Sequence, residues 1–284
     1  MANPKLDMGK AWTQATGLIG ANRDTIGAIA GLFFFLPSLA ASLLMPEMAA
    51  TAAVPPAGSG GDQAAQMQAM LDQMSAMYAD NWPLIAALSI IQFVGSLSLL
   101  ALLADRGRPT VGEALVAGVK SSPAYLIAQL ISAFAIALAV GIPLGVLTAV
   151  GSPIVTLLAG AVLVLFAIYA FMKFSLLAPV IAIEGERGPL RALTRSWRLT
   201  KGNSIRIALF LLLLFFTIGI IAALVSGLLG VVFAALGSEI ALVGNGVVSA
   251  AVNSGIGVIF LVVIASIHRQ LAGLSPEGLA ATFE

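Results

Sequence analysis

The chain has 284 residues, 60 % of them hydrophobic and only 10 % charged, with a mean hydropathy of +1.03. A soluble domain carries about 45–50 % apolar and about 25 % charged residues, so this much apolar surface needs lipid as its solvent. Formal net charge is +1, there is no cysteine, and His268 is the one histidine, which excludes disulfides, thiolate nucleophiles, Cys-based zinc sites and multi-histidine metal centres. No metal and no cofactor is expected.

A helix needs about 20 apolar residues to cross the roughly 30 Å hydrocarbon core. Six stretches qualify, at about 25–45, 82–104, 123–150, 153–183, 207–236 and 240–267. The runs are continuous rather than alternating, which argues for helices and against a membrane β-barrel. The expected fold is all-α: a polytopic membrane bundle of six transmembrane helices with amphipathic interfacial helices on the cytoplasmic side, forming a single membrane domain. The first run is preceded by a long polar segment and reads as a span rather than a cleaved leader.

Residues 46–81 form the longest connection. It holds Glu47, Asp62, Asp72 and Asp80 but no Lys or Arg, so it belongs outside. Within it, 54–61 (VPPAGSGG) reads as a flexible linker. Residues 62–80 read as an outer-face amphipathic helix, with Met67, Met70, Leu71, Met74, Met77 and Tyr78 at helical spacing. Thioethers suit Cu(I), but methionine at this spacing is better explained as adaptable apolar packing.

Basic residues orient the chain. Lys5, Lys10 and Arg23 precede the first span. Arg106, Arg108 and Lys120 follow the second, Arg187 to Arg206 follow the fourth, and Arg269 follows the sixth. All of the 14 basic residues except Lys173 therefore fall on one side, which the positive-inside rule makes cytoplasmic, together with both termini.

Each basic segment has the same plan. Pro4, Pro109 or Pro189 opens a short amphipathic helix, at about 5–20, 110–120 and 190–200, that leads into a helical hairpin. This suggests three tandem copies of one unit, as an alternative to the ordinary alternation of basic loops and hairpins. In the third unit Arg187, Arg191, Arg195 and Arg198 fall within a stripe of roughly 80°, while Leu190, Leu193 and Trp197 share another face. Such a helix lies in the interface with its arginines at lipid phosphates. Arg187, Arg191, Arg195, Arg198 and Trp197 are thus candidate contacts to anionic headgroups; the competing reading is simple anchoring. Because the basic residues adjoin the bilayer, lipid rather than nucleic acid is the expected partner, and a second copy or another membrane protein stays open.

Residues 177–203, LAPVIAIEGERGPLRALTRSWRLTKGN, carry a resemblance. Pro179, Glu184, Gly188-Pro189, Ala192-Leu193, Ser196-Trp197, Leu199 and Lys201-Gly202-Asn203 resemble the segment between spans 4 and 5 of the membrane-domain family of glycerophosphoryl diester phosphodiesterases and of the related YciC-type inner-membrane proteins. The resemblance implies a bacterial inner-membrane protein. In some members such a domain precedes a soluble hydrolase domain, whose metal-binding carboxylates and histidines are missing from these residues, so no enzymatic activity is expected.

Inside the spans, Asn245, Ser249, Asn253 and Gly257 recur every four residues on span 6. Polar groups in lipid usually face the bundle interior, where they act as helix–helix glue or line a solute path; Gln92 and Gln129 are candidate partners for them. Lys173 either snorkels to the inner interface or is buried beside a carboxylate, for which Asp105, Glu113 and Glu184 are the candidates. Gly27/Gly31 and Gly141/Gly145 match the G-x-x-x-G packing pattern, and Pro37 and Pro143 free backbone carbonyls within spans 1 and 3. No P-loop, G-x-S-x-G, H-E-x-x-H or dinucleotide fingerprint occurs. The reading that emerges is a non-catalytic lipid-interacting or envelope-organising protein, with a transporter or channel for a lipid or small amphiphile, using the span 6 stripe, as the alternative.

Overall fold

The computed structural model describes residues 5–45, 63–104, 110–150 and 152–273. Pro4, Pro109, Asp105, Arg106, Arg108 and the 54–61 linker lie outside them. Among the described residues the fold is all-α, with six helical stretches long and apolar enough to cross a membrane. The helices are α1 (Met8–Ala21), α2 (Arg23–Ala30), α3 (Leu36–Leu44), α4 (Gln63–Leu102), α5 (Val111–Val150), α6 (Pro153–Phe174), α7 (Leu177–Ala182), α8 (Pro189–Leu199), α9 (Ser204–Ala235) and α10 (Ser238–Leu271).

Span 1 is built from α2, a π-helical turn at Gly31–Phe35, and α3. The π turn ends two residues before Pro37, and the Leu36 N–H donates to the Gly31 carbonyl, five residues back. A proline cannot donate to the residue four before it, and a wider turn just ahead of it re-routes the local bonds so that the span continues.

Two expected boundaries do not exist. The helix expected at 62–80 and span 2 are one helix, α4, which passes through Pro83 without a break. The short basic helix at 110–120 and span 3 are likewise one helix, α5, which runs through Pro123 and Pro143. In each case a proline deletes one backbone bond, while the apolar residues on both sides still need helix to satisfy their own backbone groups. The start of α5 is set by a capping box: the Thr110 N–H donates to Glu113 Oε2 (2.8 Å) and the Glu113 N–H donates to Thr110 Oγ1 (3.3 Å). Span 4 covers its expected run, Ile154–Ala182, but is not one continuous helix. α6 stops at Phe174, Ser175 turns its hydroxyl onto the Met172 carbonyl, and α7 follows separately.

The chain forms two compact units: one of residues 1–26, 96–217 and 258–284, the other of residues 27–95 and 218–257. The first has a core of fully buried side chains that includes Leu97, Leu100, Leu177, Ile181, Ile207 and Ile267. The second is held by close helix approach. A Cβ added at Gly95 would meet Phe33 Cβ at 2.3 Å, and one at Gly244 would meet the Phe233 ring at 2.7 Å. Gly246 faces Ser42, Gly257 faces Phe34, and Ser254 Oγ donates to the Ala30 carbonyl (3.3 Å), so spans 1 and 6 meet through small residues. The G-x-x-x-G pairs are not the contact glycines. Nothing lies within 4 Å of a Cβ built at Gly27, Gly31, Gly141 or Gly145.

Candidate functional site

The third basic segment is fully described. Gly188 caps α8 in an extended conformation and Pro189 occupies its first turn, where a missing N–H costs nothing. At the other end Gly202 has φ +84°, a left-handed conformation that suits glycine and turns the chain into α9. Asn203 is buried, and its Oδ1 accepts from the Leu6 N–H at 2.9 Å, while Gln270 exchanges hydrogen bonds with the backbone of Asp7. The segment preceding α1 is thereby clasped by residues next to α9 and at the end of α10.

α8 has three faces rather than two. Ala192, Leu193, Ser196 and Leu199 are buried, and the helix packs on α5, α6 and α7. Leu190 and Trp197, expected to share a lipid-facing surface with Leu193, stay exposed at 64 % and 40 %. Arg191 and Arg198 are exposed along the remaining face, whereas Arg187, expected in the same stripe, is exposed in the non-helical segment ahead of Gly188. The docking is partly polar: buried Ser196 donates its hydroxyl to the Lys173 carbonyl at 2.8 Å, and Thr200 reaches the same oxygen at 3.4 Å. Several residues of the 177–203 motif thus have structural work that accounts for their identity.

Arg195 leaves the arginine stripe. It sits at the border of the buried face and forms a bidentate pair with Glu184, Nε to Oε2 at 2.9 Å and Nη2 to Oε1 at 3.0 Å. His268, wholly buried in the last turn of α10, places Nε2 3.0 Å from Glu184 Oε1. Burial of the Glu184 carboxyl acts to raise its pKa. Hydrogen bonds from His268 and then Arg195, with their positive charge, outweigh this and hold it at about 2. Next to His268, Arg269 donates to the Leu103 carbonyl, which ties the end of span 6 to the end of span 2.

Lys173 is buried rather than snorkelling and meets no carboxylate among the described residues; Asp105, one of its three candidate partners, lies outside them. It is 2 % exposed, and its Nζ lies 5.3 Å from the ring centroids of both Tyr169 and Trp197. Trp197 is held edge-on to Tyr169 (6.2 Å) and tilted against Phe174 (5.7 Å). Because α6 ends at Phe174, Lys173 lies in its last turn, where the negative end of the helix dipole favours a cation. Two π faces supply further attraction. Glu184, one of the three candidate partners, is engaged by Arg195 and His268 instead.

Of the span 6 stripe, Gly257 lies at the packed seam against Phe34, but its three polar members do not. Asn245, Ser249 and Asn253 are exposed, whereas Gly246, Ala250 and Ser254, one position further on, are buried against neighbours. Gln129 belongs to the other compact unit. His268 carried no sequence signal beyond its burial-prone position at the end of an apolar run, and only the fold joins it to Glu184.

No family model, no curated protein and no solved structure matches this chain.

Proposed function

We propose that this chain is a non-catalytic, multi-pass protein of a bacterial inner membrane that holds anionic lipid headgroups along α8, with its N- and C-terminal segments on the cytoplasmic side. The observation that carries this reading is the division of α8. Its docked face fixes the helix to the protein, leaving Arg191 and Arg198 exposed on the helix with Leu190 and Trp197, and Arg187 exposed just ahead of it. An apolar edge next to a row of cations is what an anionic membrane surface can occupy, and each such arginine is worth on the order of 1 kcal/mol there. Arg195, spent on Glu184, belongs to the scaffold. The likeness of residues 177–203 to the phosphodiesterase membrane-domain family agrees with an inner-membrane setting and adds no activity.

The test is lipid retention by the full chain, purified in mild detergent from membranes holding phosphatidylglycerol and phosphatidylethanolamine. Changing Arg187, Arg191 and Arg198 together to Gln is expected to lower bound phosphatidylglycerol severalfold and leave phosphatidylethanolamine unchanged. Equal phosphatidylglycerol in both proteins rejects the reading. Orientation is tested separately on the cysteine-free chain: an impermeant maleimide added to intact cells should label Tyr78→Cys and not Arg191→Cys.

A second reading, movement of a lipid or small amphiphile past span 6, draws on the exposure of Asn245, Ser249 and Asn253. Polar side chains outside the packed seam of an apolar helix need water, solute or another polar surface. Loss of vesicle transport in a folded Asn253→Leu variant is its expected signature, and full transport in that variant removes the stripe from the path.

A further inference from the structure

The compact unit that carries α8 also contains a partly open cavity of about 1280 Å³ between α5, α6, α9 and α10. It is larger than the roughly 300–1,000 Å³ that holds a drug-sized ligand. On α5 its lining runs from Tyr125 to Gly141, a rise of roughly 24 Å along the helix, which is the scale of an extended acyl chain.

The lining is graded. Tyr125, Gln129 and Ser132 stand at one end of the α5 wall, with Ser175 beyond the end of α6. Past Ser132 the same wall continues through Ala133, Ala137 and Gly141, whose small side chains leave the space open, and the opposite walls are apolar, Phe171 and Phe260 among them. The Ser132 and Ser175 hydroxyls are satisfied locally, by the carbonyls of Gln129 and Met172. The Gln129 side-chain amide has no partner among the described residues. Among the described residues no Asp, Glu, Lys, Arg or His lines the cavity; Lys173, one residue from two of the lining positions, turns its ammonium away to Tyr169 and Trp197.

We propose that this cavity binds a lipid with an uncharged, oxygen-bearing head and hydrocarbon tails, of the diacylglycerol type, with the Gln129 amide hydrogen-bonded to the head and the tails along Ala133, Ala137 and Gly141. Gln129 is half-buried in this wall, and an oxygen-bearing head in the cavity supplies its amide with a hydrogen-bond partner. A charged head is disfavoured because nothing in the cavity offers it a counter-charge, and burying an unpaired charge costs far more than burying an ester or hydroxyl. The site makes no use of the α8 arginines, so it stands or falls separately from headgroup binding on that helix.

The experiment uses the full chain in phosphatidylcholine vesicles with a trace of diacylglycerol carrying a photoactivatable diazirine in one acyl chain, compared with phosphatidylglycerol bearing the same chain. Crosslinks from the diacylglycerol probe are expected on peptides of α5 and α6 that line the cavity. Gln129→Leu should reduce capture roughly fivefold, the value of one hydrogen bond between neutral groups. Ala137→Phe, which fills space rather than disturbing packed core, should abolish it. Vesicle insertion and monodisperse elution confirm that each variant is folded, and either variant alone suffices. Capture unchanged in a folded variant, or equal capture of the phosphatidylglycerol probe at the same peptides, overturns the proposal.

Discussion

His268 Nε2 and Glu184 Oε1 lie 3.0 Å apart across 84 residues of sequence, at the point where the end of span 6 meets the turn before α8. Arg195 grips the same carboxylate from α8. Three separate parts of the chain are therefore fixed by one side chain, and α8 cannot leave its seat without breaking a charged contact.

Removing that charge should loosen the seat. Glu184→Gln keeps the shape but gives up the bidentate pair and faces Arg195 with a neutral amide. With Glu184 21 % and Arg195 34 % exposed, solvent screens part of the loss, and the expected cost is about 2 kcal/mol. A lowered thermal midpoint in detergent, with unchanged helix content at low temperature, is the expected result. A midpoint equal to wild type would mean that the triad carries no stability.

The same carboxylate sets an acid dependence. Its folded pKa of about 2 lies below the ordinary 4.5, so the folded state holds it ionised more tightly than the unfolded chain does. Its contribution is fully present above about 4.5 and is lost as pH falls from there towards about 2. Stability of wild type should decline across that window more steeply than that of Glu184→Gln. Parallel curves for the two proteins would contradict the assignment.

Lys173 and Trp197 should be energetically coupled. Trp197→Ala removes the contacts to Tyr169 and Phe174 as well as one face of the cation site. In a double-mutant cycle with Lys173→Met, a volume-conserving change, a coupling of about 1 kcal/mol is expected. Additive effects would show that the ammonium gains nothing from the indole.

Helix contact in the second unit should depend on Gly95. A methyl group there would overlap Phe33 at 2.3 Å, so Gly95→Ala should cost about 1–3 kcal/mol or lower the yield of folded protein. Gly141→Ala, with nothing within 4 Å, should be tolerated. The reverse order in thermal midpoints would place the close approach elsewhere.

These contrasts show what could be read from the chain. The six spans were legible because continuous apolar runs leave the backbone one option in lipid, and the start of α8 was legible from Gly188-Pro189. The docked face of α8 was not, because it is built from Ala192 and Ser196 as much as from leucine, while the more apolar Leu190 and Trp197 stay exposed. Hydropathy ranks side chains by affinity for oil; it does not tell whether protein or lipid supplies it. Spacing alone also misassigned the contact glycines, since G-x-x-x-G permits close approach but a partner such as Phe33 has to be placed by the fold. The boundaries expected at about 82 and 123 are ones that an apolar helix runs through, past Pro83 and Pro123. The Glu184–His268 pair had no local signature at all, its members being too distant for any periodicity to connect.

The central claim, that the exposed edge of α8 rests on an anionic leaflet, can be measured at Trp197. With Trp12 and Trp82 changed to Phe, it becomes the sole tryptophan. In vesicles containing brominated lipid, its fluorescence should be quenched, and more strongly by brominated phosphatidylglycerol than by the same fraction of brominated phosphatidylcholine. The preference should disappear when Arg187, Arg191 and Arg198 become Gln. Fluorescence that neither lipid quenches, or that both quench equally in the wild-type arginine background, would contradict the account.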